Sequence, residues 1–305
     1  MKILINPKHF HINDFQSLIT HLPDIDFVDD IDDVEIEGMI TWSSAVKKDV
    51  LERYPKLKII MLPSAGYDQA DIAYLKERGI IMTNARGVYD IQIVEDVIAK
   101  ISYINRDIKH FQEKMNDQLW DNHGNFAEIY GSTVGIIGTG SIGRRLAKVL
   151  KGFDAHVIGY RRIDASVPEF DQVYTGEQGL KTLLNQSDYV ILAVPLTSQT
   201  KHLINEHTLE DMKKNALLIN IARGDVIDQN ALIKALNDDV IRGAALDVTT
   251  PEPLLSDDPL WQTKHLYITP HTAGRSPKAF ERANALLLRI IKAFTQDEPL
   301  ENRIC

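Results

Sequence analysis

The chain has a single cysteine, Cys305, at its last position, so no intrachain disulfide can form and a reducing cytoplasm suits it. No apolar run is long enough to cross a bilayer, and the opening KILIN reads as a short strand rather than the apolar core of a secretion signal. Positive charge is not in surplus either. Lys and Arg number 34 against 43 Asp and Glu, a formal net charge of −9, which argues against nucleic acid or an anionic membrane as a partner. Any anionic ligand must therefore be met by local positive charge. There is no repeat, low-complexity tract or metal-ligand spacing, and no metal is expected.

What is present is 305 residues, enough for two domains, along which short apolar runs alternate with amphipathic segments. Such alternation implies parallel α/β sheets. Runs at 3–5, 27–28, 39–41, 59–62 and 80–82 predict strands of a first domain. Between them, Asn13 is expected to cap a helix carrying Phe15, Leu18, Ile19 and Leu22, and Gly79 to stop a helix over 69–78. The pattern over 91–118, with Ile93, Val97, Ile101, Ile104 and Ile108 on one side, predicts one long connecting helix. Further strands are expected at 133–137, 156–160, 189–194, 216–221, 244–248 and 266–268. A closing helix starts with Ser276 as cap and Pro277 in its first turn, and its Phe280, Ala283, Leu287, Ile290 and Phe294 form one stripe.

The stretch 131–162 organises the rest. A buried β-branched run at 133–137 leads into Gly138-Thr139-Gly140-Ser141-Ile142-Gly143, then an amphipathic helix, then a second buried strand. In that setting Gly138 permits a tight turn, Gly140 a close approach of pyrophosphate, and Gly143 close packing of helix on strand, while the helix N-terminus offers an anion site. Three glycines alone would be weak; the strand, turn, helix and strand together read as dinucleotide binding. About 20 residues on, an NAD site usually carries Asp or Glu for the ribose 2′-hydroxyl. Here Tyr160 is followed by Arg161 and Arg162, whose guanidinium groups would instead grip a 2′-phosphate, so NADP is expected over NAD, with NAD possible. Read without that position, two arginines are a solvated loop.

Polar residues collect where predicted strands end, the edge at which open α/β sheets bind ligands. In the first domain, residues 63–68 (PSAGYD) are small enough to leave backbone N–H groups for a carboxylate, although an ordinary strand-to-helix turn explains them equally well. A second loop, 83–89, follows the next strand. In the second domain the loops are 220–224 (NIARG), 247–253 (DVTTPEP) and 269–274 (TPHTAG). Singly, an Arg, a Glu and a His are most simply a surface ion pair, a solvated loop and a packed side chain. Together, Arg223, Glu252 and His271 suit proton-coupled hydride transfer to a 2-keto acid.

The order GTGSIG, PLT at 195–197, ARG, DVTTPEP and PHTAG closely resembles the D-isomer-specific 2-hydroxyacid dehydrogenase family, and SAGYD resembles that family's substrate loop. The resemblance implies an α/β protein of two doubly wound parallel-sheet domains: a Rossmann cofactor domain, residues 102–276, inserted in a flavodoxin-like substrate domain, residues 1–101 completed by 277–305. It implies a homodimer formed through the cofactor domains. It implies catalytic roles for Arg223, which would hold the substrate's carboxylate and carbonyl, His271 as acid and base, and Glu252 orienting and charge-complementing the imidazole. Ala65 and Gly66 would bind the substrate carboxylate. Thr139, Ser141, Ile142, Pro195, Ile221 and Ala273 would line the cofactor, and Asp247 would contact the nicotinamide carboxamide, a buried loop-capping Asp being the alternative.

Departures narrow the expectation. Arg161 stands where NAD-preferring members have Asp; the segment 193–195 lacks the histidine many relatives carry; the loop 86–89 is bulkier than usual. Glu252, rather than glutamine, argues against the formate-oxidising branch, and no regulatory extension is present to match the longer phosphoglycerate dehydrogenases. The expected function is reduction of a small 2-keto acid such as glyoxylate, hydroxypyruvate or a branched 2-ketocarboxylate. A non-catalytic NAD(P)(H)-sensing interaction protein of the same fold is the rival, and a methyltransferase would leave Arg223, Glu252 and His271 unexplained.

Overall fold

Two parallel sheets, each made where β-branched runs meet strand-ending loops, account for the chain, which a computed structural model describes over residues 1–305. Contacts divide it into two units, Met1–Tyr89 with Arg275–Cys305, and Asp90–Gly274. The sequence boundary at 101/102 falls inside a helix that packs on the glycine-led helix of the second unit, so the division comes earlier, at Tyr89 and Asp90. No helix is long and apolar enough to cross a membrane.

In the first unit, β1 (Lys2–Ile5), β2 (Asp26–Val28), β3 (Gly38–Ile40), β4 (Ile59–Met61) and β5 (Ile81–Thr83) form a parallel sheet in the order β2-β1-β3-β4-β5. This is the flavodoxin-like order. One face is covered by α1 (Gln16–His21) and by the closing helix of the chain, whose Ala283, Leu287 and Ile290 pack with Ile3, Ile5 and Phe15. The other is covered by α2 (Lys48–Leu51) and α3 (Ile72–Arg78), through Leu51, Tyr74 and Leu75 on Leu4 and Ile60. Gly79 ends α3 at φ 67°, a left-handed cap that glycine adopts without steric cost. Near the N-terminus the cap is His11, not Asn13. The His11 ring accepts from the Asn13 N–H and starts a short 3-10 turn ahead of α1.

The second unit opens with α4 (Asp90–Asn105) and α5 (Ile108–Asn116) in place of one long helix. The break falls at Asp107, at φ 50°, and the apolar stripe stops with it, since Ile93, Val97 and Ile101 are buried while Ile108 is 43% exposed. The sheet comprises β6 (Thr133–Ile137), β7 (His156–Tyr160), β8 (Gln172–Tyr174), β9 (Tyr189–Leu192), β10 (Leu217–Asn220), β11 (Gly243–Leu246) and β12 (Leu266–Ile268), all parallel, in the order β12-β11-β10-β9-β6-β7-β8. Strand β8 was not expected: it is a half-exposed edge of three residues with no apolar run. The helices are α6 (Ser141–Lys151), α7 (Gly176–Gln186), α8 (Glu206–Glu210) and α9 (Gln229–Asn237); α10 (Pro277–Thr295), capped by Ser276 as expected, is the closing helix of the first unit. Leu183, Leu184, Leu218, Leu232 and Leu236 are fully buried together, each contributing about 1.5–3 kcal/mol by leaving water. Chain direction across the sheet reverses between β6 and β9, the switch point at which a Rossmann sheet opens a crevice for a dinucleotide.

Candidate active site

The turn after β6 lies at this switch point and is shaped by glycines that cannot be replaced without cost. Gly138 sits at φ 111°, and a Cβ on it would overlap the Ala193 carbonyl; a Cβ on Gly143 would overlap the Gly138 carbonyl. Gly140 is different, because a Cβ there would meet no atom within 4 Å. The space before Gly140 is open, and Gly140 caps α6 without any side-chain hydrogen bond to the first-turn N–H groups. Open space, free N–H groups and a helix N-terminus together fit the pyrophosphate of a dinucleotide. Thr139 is buried, Ser141 donates to Asp90 (3.3 Å), and Ile142 lies half-buried in the first turn of the helix. Across the crevice, β9 gives way at Ala193 to a loop pinned by Thr200, which donates to the Pro195 carbonyl (2.6 Å). Arg161 and Arg162 follow β7 directly, and the Arg161 N–H donates to Tyr174 of the neighbouring β8 (3.1 Å).

Three further loops leave the same edge from the adjacent strands β10, β11 and β12, and they are tied to one another. After β10, the fully buried Asn220 accepts from the Ala222 N–H (3.0 Å) and donates to the Arg223 carbonyl (2.9 Å), which sets the backbone of Ile221, Ala222 and Arg223. A Cβ on Gly224 would overlap the Thr249 carbonyl, so the arginine loop abuts the loop after β11. Within that second loop, Glu252 accepts from the Thr249 N–H (3.2 Å), and its other oxygen lies 2.7 Å from His271 Nδ1. Hydrogen bonding at Nδ1 leaves Nε2 as the nitrogen able to exchange a proton. His271 itself sits at φ 51°, a left-handed conformation uncommon for a side-chain-bearing residue.

Asp247 holds that conformation. Its carbonyl accepts from the His271 N–H (2.8 Å); one carboxylate oxygen accepts from Thr269 (2.5 Å) and the Thr272 N–H (3.0 Å), and the other from the Ala273 N–H (3.0 Å). Three donors leave room on a carboxylate for one more.

In the first unit, Ala65 and Gly66 follow β4 in a turn fixed through its carbonyls. Asn84 donates to Ala65 (2.6 Å), Ser64 to Gly66 (3.1 Å) and the Ala85 N–H to Ser64 (2.9 Å). The Ala65 and Gly66 N–H groups take no part in this bonding. Sequence reading overlooked Asn220, Asn84 and Gln229, which accepts from the Thr250 N–H (3.2 Å). Asn220 and Asn84 were visible as polar residues ending or just following apolar strands, the position from which a side chain can tie a loop.

The strand order and the glycine turn place the second unit among dinucleotide-binding α/β proteins. Residues 98–273 match the family described as D-isomer specific 2-hydroxyacid dehydrogenase, NAD binding domain. Glyoxylate reductase of Pyrococcus horikoshii is 37% identical over 274 residues, spanning 87% of this chain and 81% of that protein. Among solved structures, an acyclic imino acid reductase in complex with NADPH and D-Arg superposes with a TM-score of 0.88 at 27% identity, over all of both chains. A D-isomer specific 2-hydroxyacid dehydrogenase family protein of Aeromonas salmonicida gives a TM-score of 0.88 at 28% identity, over 100% of this chain and 98% of its own. The chain belongs to the D-isomer specific 2-hydroxyacid dehydrogenase family. It is an NAD(P)-dependent oxidoreductase that transfers a hydride between a nicotinamide cofactor and a 2-keto or 2-hydroxy acid.

Proposed function

We propose that this enzyme is an NADPH-preferring reductase of small 2-keto acids, of the size of glyoxylate, hydroxypyruvate or a branched 2-ketocarboxylate, yielding the D-2-hydroxy acid in the cytoplasm. Arg161, directly after β7, carries the cofactor preference: with Arg162 it offers a 2′-phosphate charge-assisted hydrogen bonds at a position where a carboxylate would repel it. The NADPH bound in the similar imino acid reductase supports the same preference.

Gly138 to Gly143, Pro195, Ile221 and Ala273 would hold the cofactor, largely through backbone, and Asp247 would offer its remaining acceptor position to the carboxamide. A nicotinamide bound there would supply the hydride. Arg223 binds the substrate's carboxylate and carbonyl and stabilises charge growing on the carbonyl oxygen without surrendering its own proton. His271 delivers a proton from Nε2 to that oxygen, and Glu252 holds the imidazole by Nδ1. The Ala65 and Gly66 N–H groups receive the substrate carboxylate.

The active form is a homodimer built on the second unit. Residues 108–126 expose Ile108, Met115, Leu119, Phe126 and a fully exposed Trp120, beside a groove of about 1190 Å³ lined by Tyr103, Phe126, Trp261 and Tyr267. An apolar surface of this kind favours burial against another copy.

Oxidation of NADPH and, separately, NADH is measured with a panel of 2-keto acids, using wild type and Arg161→Asp. NADPH is expected to be preferred and the substitution to reverse the preference. Equal use of both cofactors by the wild type would remove the role given to Arg161.

A further inference from the structure

Lys100 of α4 is only 2% exposed, in a stripe otherwise filled by Val97 and Ile101. A buried ammonium is costly unless its charge is met, so its surroundings carry information. Its Nζ donates to Asp96, one turn back, and lies 3.8 Å from Oδ1 of Asp247, itself 3% exposed. Burial pushes the Asp96 carboxyl up from its ordinary range, against the pull of Lys100. Asp247 is the better-supported anion, because Thr269, Thr272 and Ala273 all donate to it.

We propose that Lys100 is a positioning residue for His271: its ammonium balances the charge of Asp247 and keeps that carboxylate under the loop 269–273, which presents the imidazole. The inference rests on His271 being the proton donor. Thr269 and Thr272 flank His271 closely, and the left-handed backbone at His271 persists only while its neighbours over-determine it. With a neutral side chain at position 100, the buried Asp247 and the half-buried Asp96 both lose the ammonium between them. Asp247 then shifts from the Thr272 and Ala273 N–H groups, and the imidazole drifts from Glu252. Displacements of about 1 Å at a reacting group cost about 100-fold in rate.

The test compares Lys100→Met, Asp96→Asn and His271→Ala in the full chain, by NADPH oxidation with glyoxylate and by amide hydrogen exchange at Thr272 and Ala273. Lys100→Met is expected to remain folded, lose about 100-fold in kcat with little change in KM, and exchange those two amides faster. Asp96→Asn is expected to keep both its kcat and the protection, since Lys100 then serves Asp247 alone. A folded Lys100→Met with wild-type kcat and protection overturns the proposal. So does a loss in Asp96→Asn equal to that in Lys100→Met, which marks an ion pair serving only α4. Should Lys100→Met not fold, Asp96→Asn decides by the same two measurements. Wild-type turnover in His271→Ala would instead remove the proton-donor reading beneath the proposal.

Discussion

Nδ1 of His271 and Oε2 of Glu252 stand 2.7 Å apart, and the other Glu252 oxygen is held by the Thr249 N–H at 3.2 Å. The carboxylate is fixed by its own loop before it orients the imidazole. Glu252→Gln can still accept a hydrogen bond but supplies no charge, and is expected to lower kcat for keto acid reduction about tenfold. His271→Ala removes the proton donor and should cost about 10²–10⁴-fold. Steady-state rates with saturating NADPH check both, and equal losses in the two variants would contradict the roles given to them.

Gly140 and Gly143 separate cofactor space from packing space. Gly143→Ala places a methyl on the Gly138 carbonyl and should destabilise the fold by about 1–3 kcal/mol, read as a lower denaturant midpoint. Gly140→Ala meets nothing in the protein. Its midpoint should hold while its affinity for NADPH, measured by fluorescence titration, falls.

Trp120 offers the clearest test of self-association, being fully exposed at 101% on an apolar segment. Trp120→Glu should shift the protein from dimer to monomer in sedimentation velocity at micromolar concentration. A wild type that sediments as a monomer under the same conditions would contradict the proposed dimer.

Asp188 links β6 and β9 by accepting from the Thr133 N–H and from Lys213, both at 2.9 Å. Burial works against its charge, but these donors outweigh burial and hold the carboxyl below its ordinary range. A depressed acid contributes stability that is present above its unfolded value, about 3.9, and lost as pH falls through the folded one. The stability gap between wild type and Asp188→Asn should therefore be widest near neutrality and shrink below about pH 4. Thermal melts across that range read it, and a gap that widens on acidification would refute the assignment.

Much of this architecture was legible because local chemistry and global fold agree. The run 133–137, three glycines and an amphipathic helix demand the same turn that the sheet order places at its switch point. Arg223, Glu252 and His271 were legible as loop residues after strands, since a strand's end fixes where its loop emerges. Periodicity failed at Asp107, where isoleucines continue past a left-handed break, and at β8, whose half-exposed residues carry no pattern. The bonds that knit the loops were illegible for another reason. Asn220 to Arg223 is local, but Asp247 to Ala273 and Lys100 to Asp247 join residues far apart in sequence, which only the assembled sheet brings together.

The division of the first unit between Met1–Tyr89 and Arg275–Cys305 orders events during synthesis. Asp90–Gly274 is continuous, so it can complete its sheet on the ribosome as soon as it emerges. The earlier-made half must wait, because Thr83 pairs antiparallel with Arg303 and the Ile304 N–H donates to Met82 (2.7 Å). Strand β5 is thus sealed only after the intervening second unit has been made, and the nascent chain carries an open edge there until residues 303–304 arrive.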